Sequence, residues 1–281
     1  MNRLRSLREN HMYFKVLGPL ELRTPRGDGV PRGPKVRQVL ALLAMQANRT
    51  LEVDALVEEL WGCDPPRTAV NTVRTHLYHL RRILEGEEAG VAGTELLVTE
   101  HSGYRLQIEP DQLDLHRFQQ YTDEGRALWR DGCAEEAADV LGRALALWRG
   151  RCLTNIDHGR LLSAHVSRLN EQRIGALQLR IEADLAVGRH HELVAELRDL
   201  SMTHQLDEWF HARLMTALQR CGRRGDALRV FSSLRRVLNE ELGVEPSPEL
   251  QRLQGDVLAG REDHEPGLRF GTSSALRPLA V

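Results

Sequence analysis

Residues 65–84, PPRTAVNTVRTHLYHLRRIL, gather side chains that can bond to nucleic acid. Arg pairs with guanine, Asn pairs with adenine, and a Thr methyl can touch thymine in the major groove. Val70, Val73, Leu77, Leu80 and Leu84 recur at three- and four-residue steps, which predicts a helix with one apolar stripe. Thr68, Asn71, Thr75, His79 and Arg82 fall opposite that stripe and are the candidates for reading bases. Thr72 and Tyr78 fall at its margins, and Arg74 and Arg81 lie on a flank nearer the core. Arg on a flank suits phosphates, which position a protein without specifying sequence. An ordinary amphipathic helix with a solvated polar face has the same pattern, so the surroundings must decide between the two.

The surroundings favour a reading head. Residues 35–47, KVRQVLALLAMQA, predict a helix with a wide apolar face, and 53–61, VDALVEELW, predict another with Asp54 as its N-cap. Gly62-Cys63-Asp64-Pro65-Pro66 then stops one helix and launches the next, in the manner of a helix-turn-helix with a long connection. Residues 96–108, LLVTEHSGYRLQI, place two β-branched runs around Glu100-His101-Ser102-Gly103 and predict a hairpin. Before the helices, YFKVLGPLELR at 13–23 is strand-rich and broken at Gly18-Pro19. The order is strands, three helices, hairpin. It gives phosphate and wing candidates Arg32, Lys35, Arg37, Trp61, Arg67, Arg74, Arg81 and Arg105, with Trp61 acting through its indole N–H.

Beyond residue 110 the pattern is helical throughout, with helices expected near 114–130, 134–149, 160–187, 190–203, 208–221, 224–242 and 247–259. Gly188-Arg189 and Gly222-Arg223 repeat one turn at the tetratricopeptide period of 34 residues. Gly132-Cys133 resembles the same turn. Such helix pairs bury their apolar faces only by stacking. His190-His191 lacks a further ligand at metal spacing, and Trp129, Trp148 and Trp209 read as packing residues. Arg149, Arg151 and Arg160 read as a solvated loop.

Residues 12–260 resemble the Streptomyces antibiotic regulatory proteins, actinomycete activators with an OmpR-type winged helix and a bacterial transcriptional activation domain. The resemblance is carried by FKVLGPLEL, GPKVRQVLALLAMQANR, LVEELWGCDPPRTAVNTVRTHLYHLRRIL, LLVTEHSGYRLQI, LDLHRF, ALALWRG, RIEADLAVGRHHELVAEL and LGVEPSPELQRL. Val70 and Arg74 depart from the residues common in that family, where 70 is often Arg and 74 often Gln or another polar residue. The resemblance implies binding to direct repeats in double-stranded promoter DNA, contact with RNA polymerase holoenzyme, and a homodimer at least on DNA. It implies that the loop Gly62–Arg67 faces polymerase, making Gly62, Asp64, Pro65 and Pro66 contact candidates. The implied target is a gene cluster for a secondary metabolite such as an antibiotic.

Composition is consistent with this and does not decide it. The chain has 281 residues with 38 basic and 40 acidic side chains. Residues 23–82 hold 10 basic against 6 acidic, so positive charge is modestly concentrated around the reading helix. Lysine is confined to Lys15 and Lys35, the bias of a GC-rich genome. Cys63, Cys133, Cys152 and Cys221 are far apart and form no zinc or disulfide pattern. Reduced thiols and the lack of an apolar run of about eighteen residues point to a cytoplasmic, nucleoid-associated protein without a membrane partner. No phosphate loop, G-x-S-x-G or H-E-x-x-H motif occurs, so no catalytic residue, metal or cofactor is expected and the chain is not read as an enzyme.

The expected fold is mainly α, an α+β winged helix-turn-helix followed by an all-α tetratricopeptide-like domain. Its divisions are a flexible leader at 1–11, the DNA-binding domain at 12–110, the helical activation domain at 111–260 and a disordered tail at 261–281. Two alternatives stand beside the activator. A repeat-type interaction scaffold predicts no salt-dependent affinity for promoter DNA, and a nucleotide- or ligand-responsive switch needs a pocket of converging polar groups.

Overall fold

The computed structural model describes residues 12–25, 27–85 and 96–261. The leader at 1–11 and, apart from Arg261, the tail fall outside those residues.

Three short strands open the chain: β1 (Tyr13–Lys15), β2 (Glu21–Thr24) and β3 (Gly27–Asp28), antiparallel in that order. The expected break at Gly18-Pro19 lies between β1 and β2. Helix α1 (Pro34–Met45) starts with proline at its first position, where the missing N–H costs nothing. Its residues Val39–Ala44 are all buried. Strand β4 (Leu51–Glu52) leads directly into α2 (Val53–Trp61). Glu52, not Asp54, therefore holds the cap position. Asp54 sits inside the first turn, where its carboxylate meets the positive end of the helix dipole.

Helix α3 (Ala69–Glu85) packs across α1 and α2. The hairpin follows as β5 (Leu97–Thr99) and β6 (Gly103–Leu106), and β4 joins it in the order β4-β6-β5. A Cβ at Gly103 would stand 2.1 Å from the Leu51 carbonyl oxygen, so the β4–β6 pairing depends on glycine there. Strands β3 and β4 are two residues each, too short to leave a periodic signal.

Helices α4 (Asp114–Arg130), α5 (Ala134–Leu145) and α6 (Arg160–Ala186) follow. Helix α5 ends four residues before the expected 149. The chain then turns back, so that Arg149 N–H donates to Leu17 O at 2.8 Å and Leu153 N–H to Gly18 O at 2.6 Å. Helices α4 and α5, and α6 as far as Arg180, belong to the same compact unit as the winged helix. Phe14, Leu22, Leu42, Val73, Leu77 and Leu106 share one continuous apolar core with Phe118, Leu141, Trp148 and Leu162. Trp148 meets Phe118 edge to face, with centroids 5.5 Å apart.

A second compact unit begins at Ile181 and contains α7 (His190–Thr203), α8 (Glu208–Arg220), α9 (Arg224–Leu242) and α10 (Pro248–Ala259). Each of these packs on the next. Gly188 and Gly222 adopt left-handed φ of 86° and 74°, a conformation that favours glycine. The N–H after each glycine closes the same helix cap, Arg189 to Asp184 O at 2.9 Å and Arg223 to Leu218 O at 2.8 Å. Gly132 in the first unit repeats it, with Cys133 N–H on Leu128 O at 2.9 Å. The fold is thus the mainly helical one expected, winged helix first and helical hairpins after.

Candidate nucleic-acid interface

Helix α3 is entered through Pro65 and Pro66, and the Ala69 N–H donates to Pro66 O at 2.8 Å. Ala69, Val73, Leu77, Leu80 and Leu84 are buried against the core. Val70 does not join them. It is 39% exposed, and Ala69 fills the first core place instead. This corrects the stripe drawn from spacing: Ala69 continues the Val73–Leu80 line one helical turn earlier, and Val70 falls beyond its edge.

The base-reading candidates Thr68, Asn71, Thr75, His79 and Arg82 are all exposed. They lie together with exposed Arg67 and Arg74. Thr75 donates its hydroxyl to Asn71 O at 3.0 Å, and Thr72 to Thr68 O at 3.0 Å. These bonds fix both hydroxyls and leave each γ-methyl outside the bond. Tyr78, a marginal residue by spacing, is 59% exposed and sits edge-on to the His79 ring. His76 is half-buried, and its pKa is lowered first by that burial, then by His79 and Lys35. From Pro65 to Leu84 the sequence has four arginines and no acidic residue.

The flanking candidates divide. Arg81 is half-buried and ties α3 to the hairpin, donating Nη2 to Leu97 O at 2.8 Å and to Thr99 Oγ1 at 2.9 Å. Arg105 on β6 pairs with Glu100 at 2.9 Å, and Glu100 also accepts the Thr50 hydroxyl. Lys35 donates to Leu60 O at 2.7 Å and lies 4.5 Å over the Trp61 ring. It thereby compensates the negative end of α2 and occupies one face of the half-buried tryptophan. Arg37 reaches Arg32 O at the long distance of 3.5 Å. Arg32 and Arg67 are exposed, as is the whole segment Gly62, Cys63, Asp64, Pro65 and Pro66. Gly62 has φ of 61°, and its N–H closes α2 on Glu58 O.

Two constellations escaped the sequence reading because their partners are about a hundred residues apart. Buried Asp114 binds the β1–β2 connection, and buried Glu59 caps α6, its carboxylate accepting N–H groups of Gly159, Leu161 and Leu162 at 2.7, 2.8 and 3.1 Å. Arg149 is partly buried and pairs with Glu21, so it is not part of a solvated loop; Arg160 pairs with Glu58 but is exposed, as is Arg151. Cys152 donates its thiol to Val16 O at 3.1 Å, and burial pushes its pKa to about 12. A cleft of about 430 Å³ beside Lys35 and Trp61 is lined by Gln38, Glu58, Glu59 and Arg160. The carboxylates of Glu58 and Glu59 are engaged in these contacts. Among the described residues no cluster of three or more His, Cys, Asp or Glu could hold a metal, and no helix is long and apolar enough to cross a membrane.

Residues 27–106 match the family model "Transcriptional regulatory protein, C terminal", and residues 113–258 match "Bacterial transcriptional activator domain". The chain is 38% identical over 250 residues to the regulatory protein DnrI of Streptomyces peucetius, covering 88% of this chain and 92% of that one. It belongs to the Streptomyces antibiotic regulatory protein family. The transcriptional regulator RedD of Streptomyces coelicolor is 34% identical, with coverage of 88% and 70%. EmbR of Mycobacterium tuberculosis, solved in complex with a low-affinity phosphopeptide, superposes with a TM-score of 0.81 at 33% identity. That match covers 88% of this chain and 65% of the EmbR chain. The antibiotic regulatory proteins are transcriptional activators and not enzymes. The N-terminal part of this member is therefore an OmpR-type winged helix, with α3 as the helix before the β5–β6 wing.

Proposed function

We propose that this chain activates a secondary-metabolite gene cluster by binding direct repeats at its promoters and contacting RNA polymerase. The observation that carries the reading is the exposed face of α3 and its entry, with Arg67, Arg74, Arg82, Asn71, Thr68 and Thr75, and no acidic residue from Pro65 to Leu84. Such a face suits the major groove, where polar side chains read base edges and arginines neutralise phosphate. Thr68, Asn71, Thr75, His79 and Arg82 read bases. Arg32, Arg37, Arg67 and Arg74 approach phosphates, while Lys35, Trp61, Arg81 and Arg105 shape the frame that presents them.

The exposed segment Gly62–Pro66 is available to polymerase when α3 is docked. The chain acts as a homodimer at least on DNA, with one winged helix on each repeat. The division into a DNA-binding part at 12–110 and an activating part at 111–260 is a functional one. The same compact unit spans that boundary and continues to Arg180.

Footprinting of the purified full chain on promoters of neighbouring genes tests the reading. Protected direct repeats about one helical turn apart are expected, with affinity that falls steeply as salt rises. Equal affinity for promoter and unrelated DNA at every salt concentration refutes it.

A further inference from the structure

We propose that Val70 reads a thymine, packing its isopropyl group against the 5-methyl in the major groove. This rests on α3 being the reading helix. A single exposed valine is ordinary on a protein surface; its position is what assigns a role here. Val70 is the second residue of α3, 39% exposed, with exposed Arg67, Asn71 and Arg74 at its sides. The N-terminal residues of a reading helix are among those that contact base edges. At about 100° per residue, Val70 and Arg74 are neighbours on one strip of the helix surface.

The chemistry then narrows the partner. Valine has neither donor nor acceptor, so it gains nothing from phosphate or from the heteroatoms of base edges. The thymine 5-methyl is the one apolar group that a base edge presents in the major groove. A cytosine at the same place would bring its N4 amino group against the isopropyl group with no acceptor, so Val70 both favours thymine and disfavours cytosine. Arg74, one turn further on, is placed to bond the neighbouring guanine or phosphate. Val70 therefore gives this chain a thymine preference at one position of each repeat.

The test uses the full chain and a duplex that it selects from a random pool. Each thymine of the protected region is replaced in turn by deoxyuridine, which removes only the 5-methyl. One position per repeat is expected to lose affinity about fourfold, the size of one buried methyl contact. Val70→Ala should bind the thymine duplex about fourfold more weakly and be indifferent to deoxyuridine there. Val70→Thr, which keeps one γ-methyl at the reach of the valine's, should restore the sensitivity. Deoxyuridine tolerated at every position, or a penalty that persists in Val70→Ala, overturns the assignment of Val70. If Asn71→Ala and Arg74→Ala also leave the selected duplex bound as tightly as before, the reading of α3 itself fails.

Discussion

The Asp114 carboxylate accepts the backbone N–H of Val16 at 2.8 Å. It also accepts the Leu17 N–H at 3.1 Å, and Arg149 Nη2 stands 3.6 Å away. Asp114 is buried, and burial pushes its carboxyl up against the downward pull of these N–H groups and Arg149. Buried N–H groups require acceptors, so the carboxylate is what allows the β1–β2 connection to sit on α4. Asp114→Ala leaves two donors unpaired and is expected to cost about 3 kcal/mol, read as a lower urea midpoint of the full chain. A chain stopped at 110 also loses Phe118, Leu141 and Trp148 from its core. It should melt without cooperativity, whereas a chain stopped at 187 should melt as one transition.

Much of this was legible in the sequence, and the exceptions share a cause. Periodicity placed α2, α4, α7 and α9 with their observed bounds. The three glycine turns were legible because a left-handed cap needs glycine. What escaped was non-local. Asp114 looks like a helix-start aspartate, and Glu59 like a solvated glutamate, until their partners at Val16 and Gly159 are brought to them. Val70 was misplaced because an apolar residue beside an alanine looks more buried than the alanine.

Arg82 is exposed near the end of α3, opposite the core. Arg82→Ala should weaken binding to the selected operator by about 1–3 kcal/mol and relax preference at one base position. Affinity is to be measured at fixed salt on operators varied one base at a time. A uniform loss across all sequences would mark a phosphate contact instead.

Arg81 connects α3 to the β5–β6 wing through Leu97 O and Thr99 Oγ1. Its loss removes this tie without touching the exposed face of α3, while β4 still pairs with β6. Arg81→Ala is expected to weaken DNA binding while keeping the same preferred sequence. The footprint should shrink at the wing's edge and persist over the bases under α3.

His76, His116, His165, His190 and His211 have pKa values lowered chiefly by burial. The unfolded chain takes up their protons near pH 6.5, and the folded chain only at lower pH. Below about 6.5 the unfolded state thus binds more protons, and stability falls as pH drops through that window. Asp114 and Glu182, raised by burial, act in the opposite sense, since their contribution is lost as pH rises. The histidine part is isolated by comparing urea midpoints at about pH 7.5 and about pH 5.5. His211→Gln should lose less between the two than the parent chain.

Glu59 closes the first unit at its other junction. Its side chain satisfies three N–H groups at the start of α6, and Gln38 donates to its backbone oxygen at 3.0 Å. A Cβ on Gly159 would stand 2.2 Å from that same oxygen, so backbone meets backbone there. The first N–H groups of a helix have no partner within it and carry partial positive charge. An acidic residue distant in sequence therefore acts as their cap. Glu59→Ala is expected to cost about 2–3 kcal/mol, since buried donors lose a charged acceptor. Gly159→Ala should be destabilising through the clash while keeping the carboxylate. Hydrogen exchange separates the two effects: the amides of Gly159, Leu161 and Leu162 should exchange much faster in Glu59→Ala, while those of α3 keep their protection. Unchanged exchange at these three amides would show that the cap contributes nothing to holding α6 against α2.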